Sequence, residues 1–221
     1  MFIASELIPT WLSLAGSLVM LVACGLCVWF APWSAVRQVP VRQHLLLGGI
    51  CACVVLWLIS VHIVANLWLH FLGITALVTL VGLRFALLVG AVATLLFALL
   101  VDQALAGVPL AWLASVAAPA LVSRLMVYRV RGLRSNNLFL YLLGVGFAGG
   151  ILAMLAMVVT ALALLGLCGQ QAWVDEALQN WPLVLLILFP EGFINGMTVT
   201  TLTVFYPHLV KTFDEHYYLG D

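Results

Sequence analysis

Residues 137–168 read NLFLYLLGVGFAGGILAMLAMVVTALALLGLC, an unbroken run of 32 residues without one Asp, Glu, Lys, Arg or His. About 20 predominantly apolar residues in helical form are enough to cross the ~30 Å hydrocarbon core of a bilayer. The run has none of the alternation of apolar and polar positions that marks a barrel strand. It reads as a membrane-spanning helix and sets the scale for the rest of the chain. Of 221 residues, 66% are hydrophobic and only 7% are charged, against roughly 45–50% and about 25% in soluble domains. Such a chain lacks the polar surface to cover itself in water. The expected fold class is all-α: a polytopic helical membrane protein, with residues 1–221 forming a single transmembrane domain.

Working outward between breakers, further spans are expected at 10–31, 45–68, 71–83, 85–101, 109–127 and 182–206, about seven in all. The 13 residues of the third reach only about 20 Å as a helix, so it must tilt, thin the bilayer or sit inside the bundle. Basic residues collect in cytoplasmic loops. Seven crossings with the N-terminus outside and the C-terminus cytoplasmic put Arg37, Arg42, Arg84, Arg124, Arg129, Arg131, Arg134 and Lys211 all inside. Merging the third and fourth spans would bury Arg84 and send the Arg-rich 124–134 segment outside. The outer side then carries Glu6, His70, Asp102, Asp175 and Glu176, a face that favours an approaching cation over the short range that salt allows.

Several function classes fall away. The formal net charge is zero and no basic block could neutralise a run of phosphates, so nucleic acid is not an expected partner. No GxxxxGK[ST] motif is present, so the energy for any pumping must come from a partner or a gradient. No Lys or Arg precedes Arg37, which argues against a cleavable leader and keeps the first apolar stretch as structure. The five cysteines sit mostly in apolar runs, as small hydrophobes and not as a disulfide framework. Cys24, Cys27, Cys51 and Cys53 come to similar depth, but the i, i+2 spacing of the second pair makes its side chains diverge on a helix.

Ionisable and amide groups at membrane depth are costly and usually face the bundle interior. Glu191 lies near the middle of the last span, with Asn195 and Thr198 at i+4 and i+7 forming one intramembrane polar stripe. Pro190 and Gly192 flank it and can loosen the helix. Two roles are open for Glu191: locking helices together, or lining a ligand or ion path. His62, Asn66 and His70 recur every four residues. On a helix they share one face near the outer end of the second span, where they could hold a metal or simply hydrogen-bond to water and headgroups. Asp102 reads as a solvated helix end. Gly144, Gly146, Gly149 and Gly150 allow close helix approach. Arg124, Arg129, Arg131 and Arg134, around Tyr128, form a basic patch suited to anionic lipid or to docking a soluble partner.

The segment Leu69-His70-Phe71-Leu72-Gly73-Ile74-Thr75-Ala76-Leu77, the Ala-rich span after it and the run from Ala118 to Arg129 resemble the CbiM/NikM permeases. These are substrate-binding membrane components of energy-coupling-factor transporters for cobalt and nickel. Ile3 with an acidic residue and a Pro before the first helix, the basic first loop, the Gly-rich sixth span and Pro190-Glu191-Gly192 follow in the same order. The resemblance implies a fold of about seven helices in a bacterial inner (plasma) membrane. Co2+ or Ni2+ would be substrate, no cofactor is bound covalently, and the partners are a transmembrane coupling subunit and ATPases. It also implies a planar nitrogen site built from the N-terminal amine, the backbone nitrogen and imidazole of a second-position histidine, and a histidine before the third span. By that match Met1 and His70 are metal ligands. Phe2 stands where the family has the second-position histidine, so one imidazole is missing, with Glu6, Asn66 or His62 as supporting ligands that could substitute. Either the metal differs, a substitute ligand completes the site, or the fold serves another ligand. The alternatives to metal uptake are an accessory or assembly protein that kept the fold without the site, and an intramembrane enzyme using Glu191 and His70 as acid and base.

Overall fold

The computed structural model describes residues 8–64 and 67–219, with 61–64, 67–69 and 219 described by backbone alone. The helices are α1 (Thr10–Phe30), α2 (Trp33–Gln38), α3 (Pro40–Leu58), α4 (Ile74–Val81) and α5 (Leu83–Leu100). They continue with α6 (Leu105–Gly132), α7 (Leu138–Leu167), α8 (Gln171–Gln179), α9 (Trp181–Phe205) and α10 (Glu215–Leu219). Six of them, α1, α3, α5, α6, α7 and α9, are long and apolar enough to cross a membrane. The chain is a multi-pass helical membrane protein. On α1, Leu14, Leu18, Leu21 and Trp29 are exposed, the outward apolar surface that lipid covers and water would not tolerate.

Two expected spans come out differently. The second ends at Leu58, and β1 (Ser60–Val64) and β2 (Leu67–His70) form an antiparallel hairpin in the register Ser60↔His70 and His62↔Trp68. An apolar run alone does not separate strand from helix. Here β-branched Val61, Ile63 and Val64, followed by Asn66, carry the strand-and-turn signal. The four-residue spacing of His62, Asn66 and His70 therefore does not put them on one helix face: His62 and His70 belong to opposite strands. The third expected span is α4, only eight residues long, or about 12 Å.

α4 is short because both its boundaries are glycines with positive φ, Gly73 at +67° and Gly82 at +82°. At Gly73 a Cβ would also come within 2.8 Å of Leu56 Cδ1, which would have to swing aside, so it is mainly the left-handed backbone that favours glycine there. The helix is apolar nearly all round, the signature of a core helix, and Ile74 to Thr79 and Val81 are all buried. It packs against α3, α5, α6, α7 and α9, while α1 lies outside on α5 and α6. α6 and α7 each contain a π-helical turn, at Leu113–Ala117 and Leu142–Ala148. α7 starts on a side-chain cap, with Asn137 Oδ1 accepting from Phe139 N at 2.9 Å and Leu140 N at 3.3 Å. Asn137→Ala should cost about 0.5–2 kcal/mol, readable as a lowered unfolding midpoint; no change would show the cap to be replaced by water.

α7 and α9 meet through glycine on both sides. A Cβ at Gly146 would lie 3.1 Å from Gly196 Cα, and one at Gly150 would lie 3.1 Å from Gly192 Cα. Gly146/Gly150 and Gly192/Gly196 are thus facing small-xxx-small pairs, which let the two backbones touch. The close approach expected of the glycines opening the sixth span is present, and it fixes the face of α9 that points inward.

Candidate functional site

A helix buried end to end must find partners for the N–H groups at its start and the carbonyls at its end. α4 takes both from elsewhere in the chain. At its start, Leu72 N donates to Glu191 Oε2 at 2.8 Å and Gly73 N to Glu191 Oε1 at 3.0 Å. Ala76 N donates to Asn195 Oδ1 at 2.9 Å. Asn195 Nδ2 returns to Glu191, 2.7 Å from Oε1 and 2.8 Å from its backbone oxygen. Both residues are fully buried. A carboxylate and an amide from one face of α9 thus cap α4 across the bundle, where negative charge is favoured by the helix dipole.

At the other end Thr79 O accepts from Thr212 N at 3.1 Å and from Thr212 Oγ1 at 3.2 Å, and Leu80 O accepts from Lys211 N at 3.3 Å. The Thr212 hydroxyl proton is spent on Thr79, so Tyr141 Oη, 2.8 Å from Thr212 Oγ1, is the donor of that pair. The same reasoning makes Thr75 donate to Ser123 at 2.8 Å, because Ser123 Oγ already donates to Pro119 O.

The α9 stripe is therefore two residues deep. Thr198 lies at the margin, its hydroxyl donating to Ile194 O in the preceding turn; it takes no part in the network. The i+8 position, Val199, is the buried one.

His70 ends β2 immediately before this capped turn and is 2% exposed. Its ring lies 5.4 Å from that of Trp57 and 6.3 Å from that of Phe97. Trp57 Nε1 donates to Leu72 O at 3.3 Å. The turn after His70 is thus gripped by Glu191 through its N–H groups and by Trp57 through a carbonyl. His70 Nδ1 is 3.2 Å from Phe71 O. A carbonyl only accepts, so Nδ1 carries the proton and the neutral ring has its lone pair on Nε2, the arrangement by which ligating imidazoles are usually oriented.

Burial holds the His70 imidazole well below its ordinary range. The unfolded chain then binds that proton more readily than the folded one, so stability falls as pH drops below about 6.5. Unfolding midpoints at pH 7.5 and 5.5 should show this loss, and His70→Gln should shrink it; an identical loss in the variant would assign the effect elsewhere.

Met1, Phe2, Glu6 and Asn66 lie outside the described residues, and of His62 only the backbone is described. Among the described residues no group of three His, Cys, Asp or Glu side chains comes together to hold a metal. Cys27 and Cys53 are buried, Cys51 is exposed and Cys24 is intermediate. Asp102 sits exposed in a turn at φ 52°. Arg124, Arg129 and Arg131 lie on the last turns of α6 and Arg134 just beyond it. Sequence reading missed Trp57 and the Thr212 strap; the two glycines bracketing residues 74–81 were the available signal for a short helix needing outside caps.

The profile of the CbiM family, described as the cobalt uptake substrate-specific transmembrane region, matches residues 2–209. The chain belongs to the CbiM family. No curated protein and no solved structure gave a significant match. Membership makes this CbiM chain a transmembrane component of cobalt uptake that works within a transport complex, in a family of transporter parts and not of enzymes. The match runs through α4, its caps and the hairpin, so the buried turn after His70 is part of the CbiM domain proper.

Proposed function

We propose that this chain is the substrate-capturing permease of an energy-coupling-factor transporter in a bacterial inner membrane. It takes a divalent transition metal of the cobalt or nickel class from outside and works with a transmembrane coupling subunit and ATPases. The observation that carries the reading is the buried His70 at the head of α4, its turn fixed from two helices and its Nδ1 proton directed at Phe71 O. Nitrogen donors in a planar set suit Co2+ and Ni2+. His70 Nε2 and the Met1 amine are the proposed ligands. Glu6, Asn66 or His62 supplies what Phe2 does not. Glu191 is a positioning residue, since both its oxygens already accept from N–H groups.

Elemental analysis by mass spectrometry on detergent-purified protein with a native N-terminus tests this, because a tag would block the amine. Near-stoichiometric cobalt or nickel is expected, falling at least tenfold in His70→Ala while the protein stays monodisperse. Unchanged metal content would remove His70 from the site. Phe2 favours a second reading, an accessory protein that keeps the fold without the metal. A metal-free protein after loading, copurifying with a stoichiometric partner, would select it.

A further inference from the structure

The opposite end of the bundle from His70 holds a cavity of about 420 Å³ lined by Gly82, Leu83, Arg84, Arg124, Arg131, Lys211 and Thr212. Four cations line it and, among the described residues, no carboxylate does. Two of the arginines are held in place by one N–H each. Arg84 Nη1 donates to Phe30 O at 2.6 Å and Arg131 Nη2 to Thr212 O at 2.7 Å, which leaves the rest of each guanidinium fork for another acceptor. Lys211 is exposed overall, and the partial desolvation of its ammonium, followed by Arg42, Arg84 and Arg124, pushes its pKa down. Like charges gathered this closely repel one another until an anion enters.

Lys211 also lines a second cavity, about 250 Å³, whose walls include Val36, Leu45, Leu46, Leu80, Val81 and Phe85. Its Nζ lies 3.4 Å from Val81 O and 5.7 Å from the Phe85 ring centroid. A cationic chamber and a mainly apolar one, which also carries Arg42 and His208, therefore share a wall, in a chain whose outer helices face lipid.

We propose that the two chambers form one site for an anionic phospholipid, with the phosphate among Arg84, Arg124, Arg131 and Lys211 and an acyl segment against Val36, Leu46 and Phe85. A soluble phosphate would fill only the first chamber. A neutral lipid would leave the four cations poorly matched, since a zwitterionic headgroup brings its own positive charge. The site stands apart from the metal reading and does not depend on it: it lies at the far end of α4 from His70.

Native mass spectrometry of delipidated full-length protein titrated with phosphatidylglycerol or phosphatidylcholine tests the assignment. One phosphatidylglycerol per chain should be retained at least tenfold more tightly than phosphatidylcholine. Arg124→Gln/Lys211→Gln should lose that preference, and Arg134→Gln, outside the cavity, should keep it. Arg124→Gln alone changes an exposed residue and should weaken retention several-fold with an unaltered unfolding midpoint, so a misfolded double variant would not decide the matter. Equal retention of both lipids, or retention indifferent to Arg124, would overturn the proposal. Displacement of phosphatidylglycerol by millimolar inorganic phosphate would reassign the cavity to a soluble anion. Binding of an acidic peptide with no lipid retained would reassign it to a protein partner.

Discussion

Glu191→Ala should lower the thermal unfolding midpoint by about 10 °C or more. The change orphans three buried N–H donors, from Leu72, Gly73 and Asn195, each costing about 1–3 kcal/mol, and 1 kcal/mol moves the midpoint of a chain this size by about 2–4 °C. Glu191→Gln should not rescue it. The carboxamide has one acceptor oxygen and presents its NH2 group to a backbone N–H, donor against donor. Asn195→Asp keeps an acceptor for Ala76 N but replaces the Nδ2 donor with a carboxyl oxygen facing Glu191 Oε1 at about 2.7 Å, acceptor against acceptor with two buried carboxyls in contact, so it should also be strongly destabilising. Differential scanning fluorimetry on the three purified variants orders them. A Glu191→Ala protein within 2 °C of the parent would show that the carboxylate is not what closes the start of α4. The same variant should also lose metal retention, because the turn that presents His70 would no longer be fixed.

The second large effect concerns the seam between α7 and α9. A methyl at Gly192 would lie 2.7 Å from Ile151 Cγ1 and 2.9 Å from the Phe147 carbonyl oxygen. The side chain could turn away, but the carbonyl belongs to the π-helical turn and cannot. Overpacking of this kind costs about 1–3 kcal/mol, and here it also drags Glu191 and Asn195 away from the caps they supply. Gly192→Ala should therefore reduce the fraction of folded, monodisperse protein after heating, measured by fluorescence-detected size exclusion. Gly166→Ala is the control, since a Cβ there meets nothing within 4 Å; it should be neutral, or stabilising by about 0.5–1 kcal/mol through lost backbone freedom. Equal behaviour of the two variants would mean that the helices separate without cost.

Composition and run length were enough to read the helical membrane fold, because in lipid the backbone has few ways to satisfy itself. They were not enough to separate the hairpin from a continuing α3: Val61, Ile63 and Val64 are as apolar as the helix before them, and only their branching and Asn66 distinguish the strands. The polar stripe could be placed on the inner face of α9 by spacing, yet spacing does not name a partner. That Glu191 meets Leu72 and Gly73 is fixed by pairings about 119 residues apart, and no local pattern encodes them. Thr198 shows the same limit, since i+7 and i+8 flank the Glu191–Asn195 stripe on opposite sides, about 40° and about 60° from its centre, and packing chose Val199. The basic patch was read as a run along 124–134, whereas the cavity draws Arg84 and Lys211 from elsewhere and leaves Arg129 and Arg134 out.

The caps of α4 also carry an instruction about order of assembly. Its start waits for Glu191 and its far end for Thr212, residues made 119 and 133 positions after the groups they satisfy. While the ribosome is still threading α6 and α7 into the bilayer, this short helix has bare donors at one end and bare acceptors at the other, and nothing in its own neighbourhood to quieten them. A nascent chain stalled before α9 is therefore unfinished at its centre as well as at its growing edge.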